Sequence, residues 1–173
     1  MQAQAKQNTI ATEVINEMDR EAEITNRLFD IIPDDKLDFR PHAKAKSLGE
    51  LAMHIAVLPG NVAAIAVEDV HEFAGIPKDP EAASRAQIQA TFAESLEKAK
   101  EIVRSTDDEN AVRELRLVAD GKTLFAAPRV GFWRTVLLNH NYHHRGQLST
   151  YLRILDVPLP SIYGPSADTN PFA

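Results

Sequence analysis

The segment His140-Asn141-Tyr142-His143-His144-Arg145-Gly146-Gln147-Leu148 constrains this chain more than any other. It reads as helix, and helical residues i and i+4 lie about 40° apart on one face, with Cβ atoms roughly 5 to 6 Å apart. His140 and His144 therefore share a face. At roughly 100° per residue, Trp133, Val136, Leu137, His144, Gln147, Leu148, Tyr151 and Leu155 all fall within about 80° of His140, so the pair looks into an apolar interior. Buried imidazoles need partners, and one divalent ion can bridge both. A tight transition-metal site takes roughly three or four ligands, so the fold must bring at least one more from another element. His143, about 60° to one side of the stripe, can replace His140 or His144 as a ligand, act as an acid–base group, or support a ligand.

His42, His54 and His71 lie outside this segment, and only His54 falls within a helical pattern. Ser47-Leu48-Gly49-Glu50 is a capping box, in which serine and glutamate satisfy each other's orphan backbone donors, so a helix starts at Ser47. Leu51, His54 and Leu58 recur at helical spacing and turn His54 toward the core. Pro59-Gly60 is expected to kink or end the helix just beyond, which would leave the imidazole near a mouth. Histidines from two helices then converge on one point, where a metal is the economical partner. His42, after Pro41, is expected in a loop-bracing or surface role, and His71 in solvent.

The same periodicity organises the rest. Ile10, Val14, Met18, Ala22, Leu28 and Ile32 predict a first amphipathic helix over 9–32, stopped by Pro33-Asp34-Asp35. Leu37 to Lys46 reads as a connecting loop, Asn61 to Val67 as a further helical piece, and Glu68 to Ala83, with Gly75, Pro77 and Pro80, as a loop. Ser84 with Gln87 caps a third helix through Ile88, Phe92, Leu96, Ala99 and Val103. Leu115 and Leu117 precede Asp120-Gly121, a turn signal that can close a short hairpin. The last helix spans about 130–155 and is stopped by Asp156-Val157-Pro158; the Pro-rich tail beyond has no helical period and is expected as irregular coil over the body. Four long helical segments with histidines on the second and fourth make an all-α four-helix bundle the simplest architecture, and bundles build metal sites from inward side chains on facing helices.

Composition narrows the function. At 173 residues the chain fits one domain able to bury a proper core. Its net charge is −6 and its basic residues are scattered, which argues against nucleic acid as a partner. With no cysteine there is no disulfide, thiolate metal site or cysteine nucleophile, in keeping with a cytoplasmic location. Met1 to Thr9 is polar, unlike an export signal, and the apolar stretch Ile55 to Val67 falls short of the roughly 20 residues of a membrane span. A soluble protein without a membrane partner is expected. No Gly-x-Ser-x-Gly elbow and no Gly-rich phosphate loop appear.

The residues Leu37-Asp38-Phe39-Arg40-Pro41-His42, Ser47 to Ile55, and above all His140 to Leu148 with Tyr151-Leu152-Arg153 and the Pro-rich tail resemble the DinB-like (DinB/YfiT) superfamily. The resemblance covers nearly the whole chain. It implies a four-helix-bundle metalloprotein in which one histidine of the second helix and a His-x-x-x-His pair of the fourth hold a divalent ion; here these are His54, His140 and His144. Relatives include low-molecular-weight thiol S-transferases, a thiol-dependent isomerase and proposed hydrolases, and many are dimeric. Nothing in the chain resembles polymerase chemistry.

Three neutral imidazoles would leave a divalent ion its full charge and at least one open position, as in catalytic sites. Zinc or nickel is the first expectation, with iron or manganese behind them. The expected function is a metal-dependent enzyme acting on a small molecule, by thiol S-transfer or hydrolysis, with any low-molecular-weight thiol supplied as cosubstrate. His143, Gln147 and Tyr151 are the candidates for catalytic groups, although Gln147 and Tyr151 can equally cap core polarity. Arg145 is expected to pair with an acidic residue of a neighbouring helix rather than bind an anionic substrate. Gly146 is expected to permit close helix packing, and Trp133 to belong to the core. The alternative is a non-catalytic metal or small-ligand binding protein, or a stress-related dimer with a vestigial site.

Overall fold

The computed structural model describes residues 9–172; of the polar N-terminal stretch, only Thr9 is among them. Helix α1 (Thr9–Phe29) buries Val14, Met18, Ala22 and Leu28 of the predicted stripe, and Phe29 beside them. A helix start leaves backbone donors without partners. Here the Asp108 carboxylate accepts from the N–H groups of Thr9 and Ile10 at 3.2 and 3.0 Å. The helix stops short of Ile32, because Ile31 and Ile32 donate to Leu28 and Phe29 in tight i→i−3 turns. Ile32 is nonetheless buried, so the apolar period runs past the helical hydrogen bonds.

Helix α2 (Leu48–Ile65) begins on the capping box: Glu50 N–H donates to the Ser47 hydroxyl at 3.1 Å, and Ser47 N–H to the Glu50 carboxylate at 2.9 Å. It neither ends nor restarts at Pro59, contrary to the expected break. The missing N–H of Pro59 would have bonded the Ile55 carbonyl one turn back. That carbonyl accepts instead from the Asn141 side-chain amide at 3.3 Å. One residue on, the Ser95 hydroxyl accepts from Gly60 N–H at 2.8 Å and donates to the Val57 carbonyl at 3.1 Å. The backbone groups disturbed by the proline are thus met by side chains of two neighbouring helices. Gly60 permits this, since a Cβ there would meet Ser95 atoms at 3.0 Å. Helix α2 is long and apolar enough to cross a membrane by length and composition, but it is largely buried inside the protein, as befits a core helix.

Helix α3 (Arg85–Arg104), capped by Ser84, buries Ile88, Phe92, Ala99 and Val103. Between α2 and α3, residues read as loop contain strand β1 (Val70–Glu72). After a short helix α4 (Asp108–Ala111), strands β2 (Glu114–Ala119) and β3 (Lys122–Pro128) form the hairpin. Asp120 and Gly121 at its tip both take positive φ, 49° and 72°, as two-residue hairpin turns of this hand require. The strand β1 adds parallel to β2, pairing Val70 with Arg116, to give the order β1-β2-β3. The chain is therefore mostly helical but not all-α. Three residues among turn formers carry too little alternation to announce β1; it exists because β2 offers it an edge.

The last helical stretch is continuous in three parts: α5 (Arg129–Phe132), a π-helical segment Trp133–Asn139, and α6 (His140–Ile154). It ends where predicted. Asp156 adopts φ 56°, while Val157 N–H donates to Leu152 and Asp156 N–H to Arg153, both carbonyls of the last turn. The tail beyond is irregular, and its Leu159 and Ile162 pack on an apolar cluster of Phe29, Met53, Ile55, Phe92, Leu148 and Leu152. A second cluster gathers Met18, Leu58, Val103, Leu115, Phe132 and Trp133 toward the sheet. Arg129, buried, locks that end with bonds to the carbonyls of Ala66 and Asn110 and to Asp69. The sheet therefore hangs from the far end of α2, and His54 sits in its first half.

Candidate metal centre

His54 follows the capping box by one turn, between the fully buried Met53 and Ile55, and keeps 15% of its side chain exposed. Its Nδ1 lies 2.8 Å from Oδ2 of Asp79. A carboxylate only accepts, so Nδ1–H donates and Nε2 keeps its lone pair. On α6, the Nε2 atoms of His140 and His144 face each other at 2.8 Å. The His144 Nδ1–H donates to the Gln147 side-chain oxygen at 2.7 Å. The Val136 carbonyl, one turn back, favours the protonated form of the His140 ring. The acceptors outside His54 and His144 leave the inner nitrogen of each as a bare lone pair. Without an ion, His140 Nε2–H can donate to the bare Nε2 of His144; with an ion, both nitrogens can turn their lone pairs to it. One ligand atom from each of His54, His140 and His144 comes within 4.8 Å of the others. The ring of His54 meets that of His144 at 4.6 Å and that of His140 at 5.5 Å between centroids.

Burial pushes the His144 pKa down to about 4; the Gln147 hydrogen bond raises it, and the His54, His140 and His143 rings lower it further. Burial, followed by His54, also lowers that of His140. Both rings are neutral near pH 7, the form that ligates a metal. With inward lone pairs and outward acceptors, the donor set fits a divalent transition ion, since metal-bound histidines commonly donate their other N–H to a carboxylate or carbonyl.

The remaining sequence candidates fall in different places. His143 is exposed, its ring 4.9 Å from that of His144. Gln147 serves His144 directly. The Tyr151 hydroxyl donates to the Lys46 carbonyl at 3.2 Å, and its ring packs edge-on against Phe39. His42 braces its own loop by accepting from Lys44 N–H, and His71, half-buried rather than solvated, lies on β1. Trp133 is in the core. Arg145 is fully buried; it pairs with Glu21 of α1 at 2.6 Å, bonds the Tyr163 hydroxyl, and has Tyr142 and Tyr163 against its guanidinium. Gly146 is not a point of close packing, since among the described residues a Cβ there would meet nothing within 4 Å.

Residues 17–148, covering both halves of this centre, match the DinB superfamily. The chain belongs to the DinB superfamily. Two solved structures share its fold. A DinB-like protein from Bacillus cereus is 20% identical, with a TM-score of 0.68 over 87% of this chain and 95% of its own. One from Bacillus subtilis is also 20% identical, with a TM-score of 0.65 over 87% of this chain and 97% of its own. No curated protein matches the sequence. Within this DinB-superfamily chain, three contributors to the site escaped sequence reading. Asp79 and Lys46 lie in segments without periodicity, and Val136 acts through its carbonyl, which no side-chain pattern records. Asn141 did fall inside the histidine motif, but only the proline's missing donor gives it a task.

Proposed function

We propose that this chain is a single-domain, four-helix-bundle metalloenzyme acting on a small molecule, by thiol S-transfer or by hydrolysis. His54, His140 and His144 hold its divalent transition metal, with zinc or nickel ahead of iron or manganese. The observation that carries this reading is the meeting of three ring nitrogens within 4.8 Å of one another, with His54 anchored outward by Asp79 and His144 by Gln147. Bound there, the metal supplies Lewis-acid activation of a water or thiol.

The chain supplies the rest. His143, exposed beside His144, is the ring placed to exchange a proton with substrate. Gln147 and Tyr151, the other catalytic candidates, hold their side chains on His144 and Lys46, which favours positioning roles for both. With no cysteine in the sequence, any thiol comes from a low-molecular-weight cosubstrate. We further propose a cytoplasmic homodimer, with neither nucleic acid nor membrane as partner, in line with the negative charge and the buried character of α2.

The test is elemental analysis of protein purified without a metal-affinity column, beside His54→Ala and His144→Ala, followed by a panel of thiol–electrophile pairs, esters and amides. Stoichiometric metal lost in both variants, with turnover by the loaded protein, is the expected result. Stoichiometric metal surviving both substitutions refutes the centre. Metal that raises the melting temperature without turnover of any pair replaces the enzyme with a binding protein.

A further inference from the structure

Asp79 lies 25 positions beyond His54, in the irregular segment between β1 and α3, yet its side chain is only 13% exposed. A carboxylate brought that far out of water needs compensating donors. Among the described residues it has two: His54 Nδ1–H at 2.8 Å and the Lys46 ammonium at 3.3 Å, both on Oδ2. Lys46 is held in turn. Its backbone immediately precedes the N-cap of α2, and its carbonyl accepts from Tyr151 of α6. A continuous chain of contacts therefore runs from the helix carrying His140 and His144, through Tyr151, Lys46 and Asp79, back to His54.

We propose that Asp79 is the positioning residue of the metal centre: it fixes His54 in the Nδ1–H tautomer and aims its bare Nε2 at the two rings of α6. Lys46 and Tyr151 keep the carboxylate in place. The proposal rests on the metal centre above and extends it to residues that touch no ligand atom of the α6 pair. His54 is the ring that needs this help most. His144 is anchored by Gln147 of its own helix, and His140 meets His144 on that helix, whereas His54 takes its anchor from a different segment.

The test uses the full chain as wild type, Asp79→Ala and Asp79→Asn. The asparagine keeps an oxygen that can accept from Nδ1–H but loses the charge. Zinc affinity is measured by competition with a chromophoric chelator, with the melting temperature of the metal-free proteins as the check on folding. The His54 tautomer is read by long-range proton–nitrogen NMR in mildly alkaline buffer, with His54→Gln to assign the signal. Expected are a zinc dissociation constant raised about 10- to 100-fold in Asp79→Ala, a smaller rise in Asp79→Asn, and a wild-type His54 that is Nδ1-protonated but mixed in the alanine variant. Unchanged affinity in a folded Asp79→Ala, or an Nε2–H tautomer in the wild type, overturns the proposal. A wild type that binds no zinc refutes the metal centre instead, and the tautomer measurement then decides the role of Asp79 alone.

Discussion

The continuity of α2 through Pro59 makes a quantitative prediction. If Asn141 replaces the hydrogen bond that the proline cannot make, its worth must depend on the proline. Removing the Asn141 amide strands the Ile55 carbonyl, in a segment where Asn141 is 7% exposed and Ile55 fully buried. A buried acceptor left without a donor costs about 1–3 kcal/mol, and a bond as long as 3.3 Å belongs at the low end, about 1–1.5 kcal/mol. In a Pro59→Ala background the restored N–H bonds Ile55, and Asn141→Ala should then cost only a few tenths of a kcal/mol. The expected coupling is about 1 kcal/mol, read from a double-mutant cycle by urea unfolding of Pro59→Ala, Asn141→Ala, the double variant and wild type. Excess chelator keeps bound metal from masking the effect by mass action. In thermal melts, the Asn141→Ala shift of about 2–6 °C should nearly vanish once Pro59 is alanine. Equal losses in both backgrounds would refute the compensation and leave the unbroken helix without its explanation.

Two further outcomes follow from local geometry. Gly146→Ala fills open space in the middle of a helix with a better helix former, so the melting temperature should rise by about 2–4 °C, close to 1 kcal/mol; a fall would mean that the glycine is needed for an approach absent from the structure. Arg40, then the Ser47 N–H, hold the Glu50 carboxyl down at about 2, below its ordinary 4.5. A depressed carboxylate contributes stability above its unfolded pKa and loses it as pH falls toward the folded one. The melting-temperature gap between wild type and Glu50→Gln should therefore close as pH drops from 4.5 toward 2, by an amount that solvent screening keeps modest; a gap independent of pH across that window refutes the assignment.

Helices were legible wherever a start signal met a long apolar period. Ser47 caps as read; Ser84 accepts from Gln87 N–H, but the Gln87 side chain takes the N–H of Ala83 instead of closing the box on Ser84; Asp156 stops α6 through backbone bonds that its left-handed conformation allows. Legibility failed where structure depends on a distant partner. The strand β1 is too short to show alternation and forms because β2 lies open beside it. Pro59 reads as a breaker in any one-dimensional scan, since what rescues its helix comes from residues 36 and 82 positions further on, Ser95 and Asn141. The same limit explains Gly146: spacing marked it as a contact point, but only the neighbouring surfaces decide whether anything approaches.

The candidate site divides along the same line. His140 and His144 were placed together by arithmetic on one helix, and His54 by a cap and a stripe on another. What the pattern could not supply is the direction of each ring. An imidazole on an apolar stripe has two nitrogens and two flips, and only its outer acceptor determines which lone pair points inward. For His144 that acceptor is Gln147, three residues on, and His140 faces His144 on the same helix, so both are set largely by the local helix. For His54 it is Asp79, delivered by a loop whose course depends on the packing of α2 and α3. The residue hardest to find in the sequence is therefore the one on which the two-helix geometry most depends. It follows that lengthening the segment between β1 and α3 should disturb the centre while leaving both histidine-bearing helices intact.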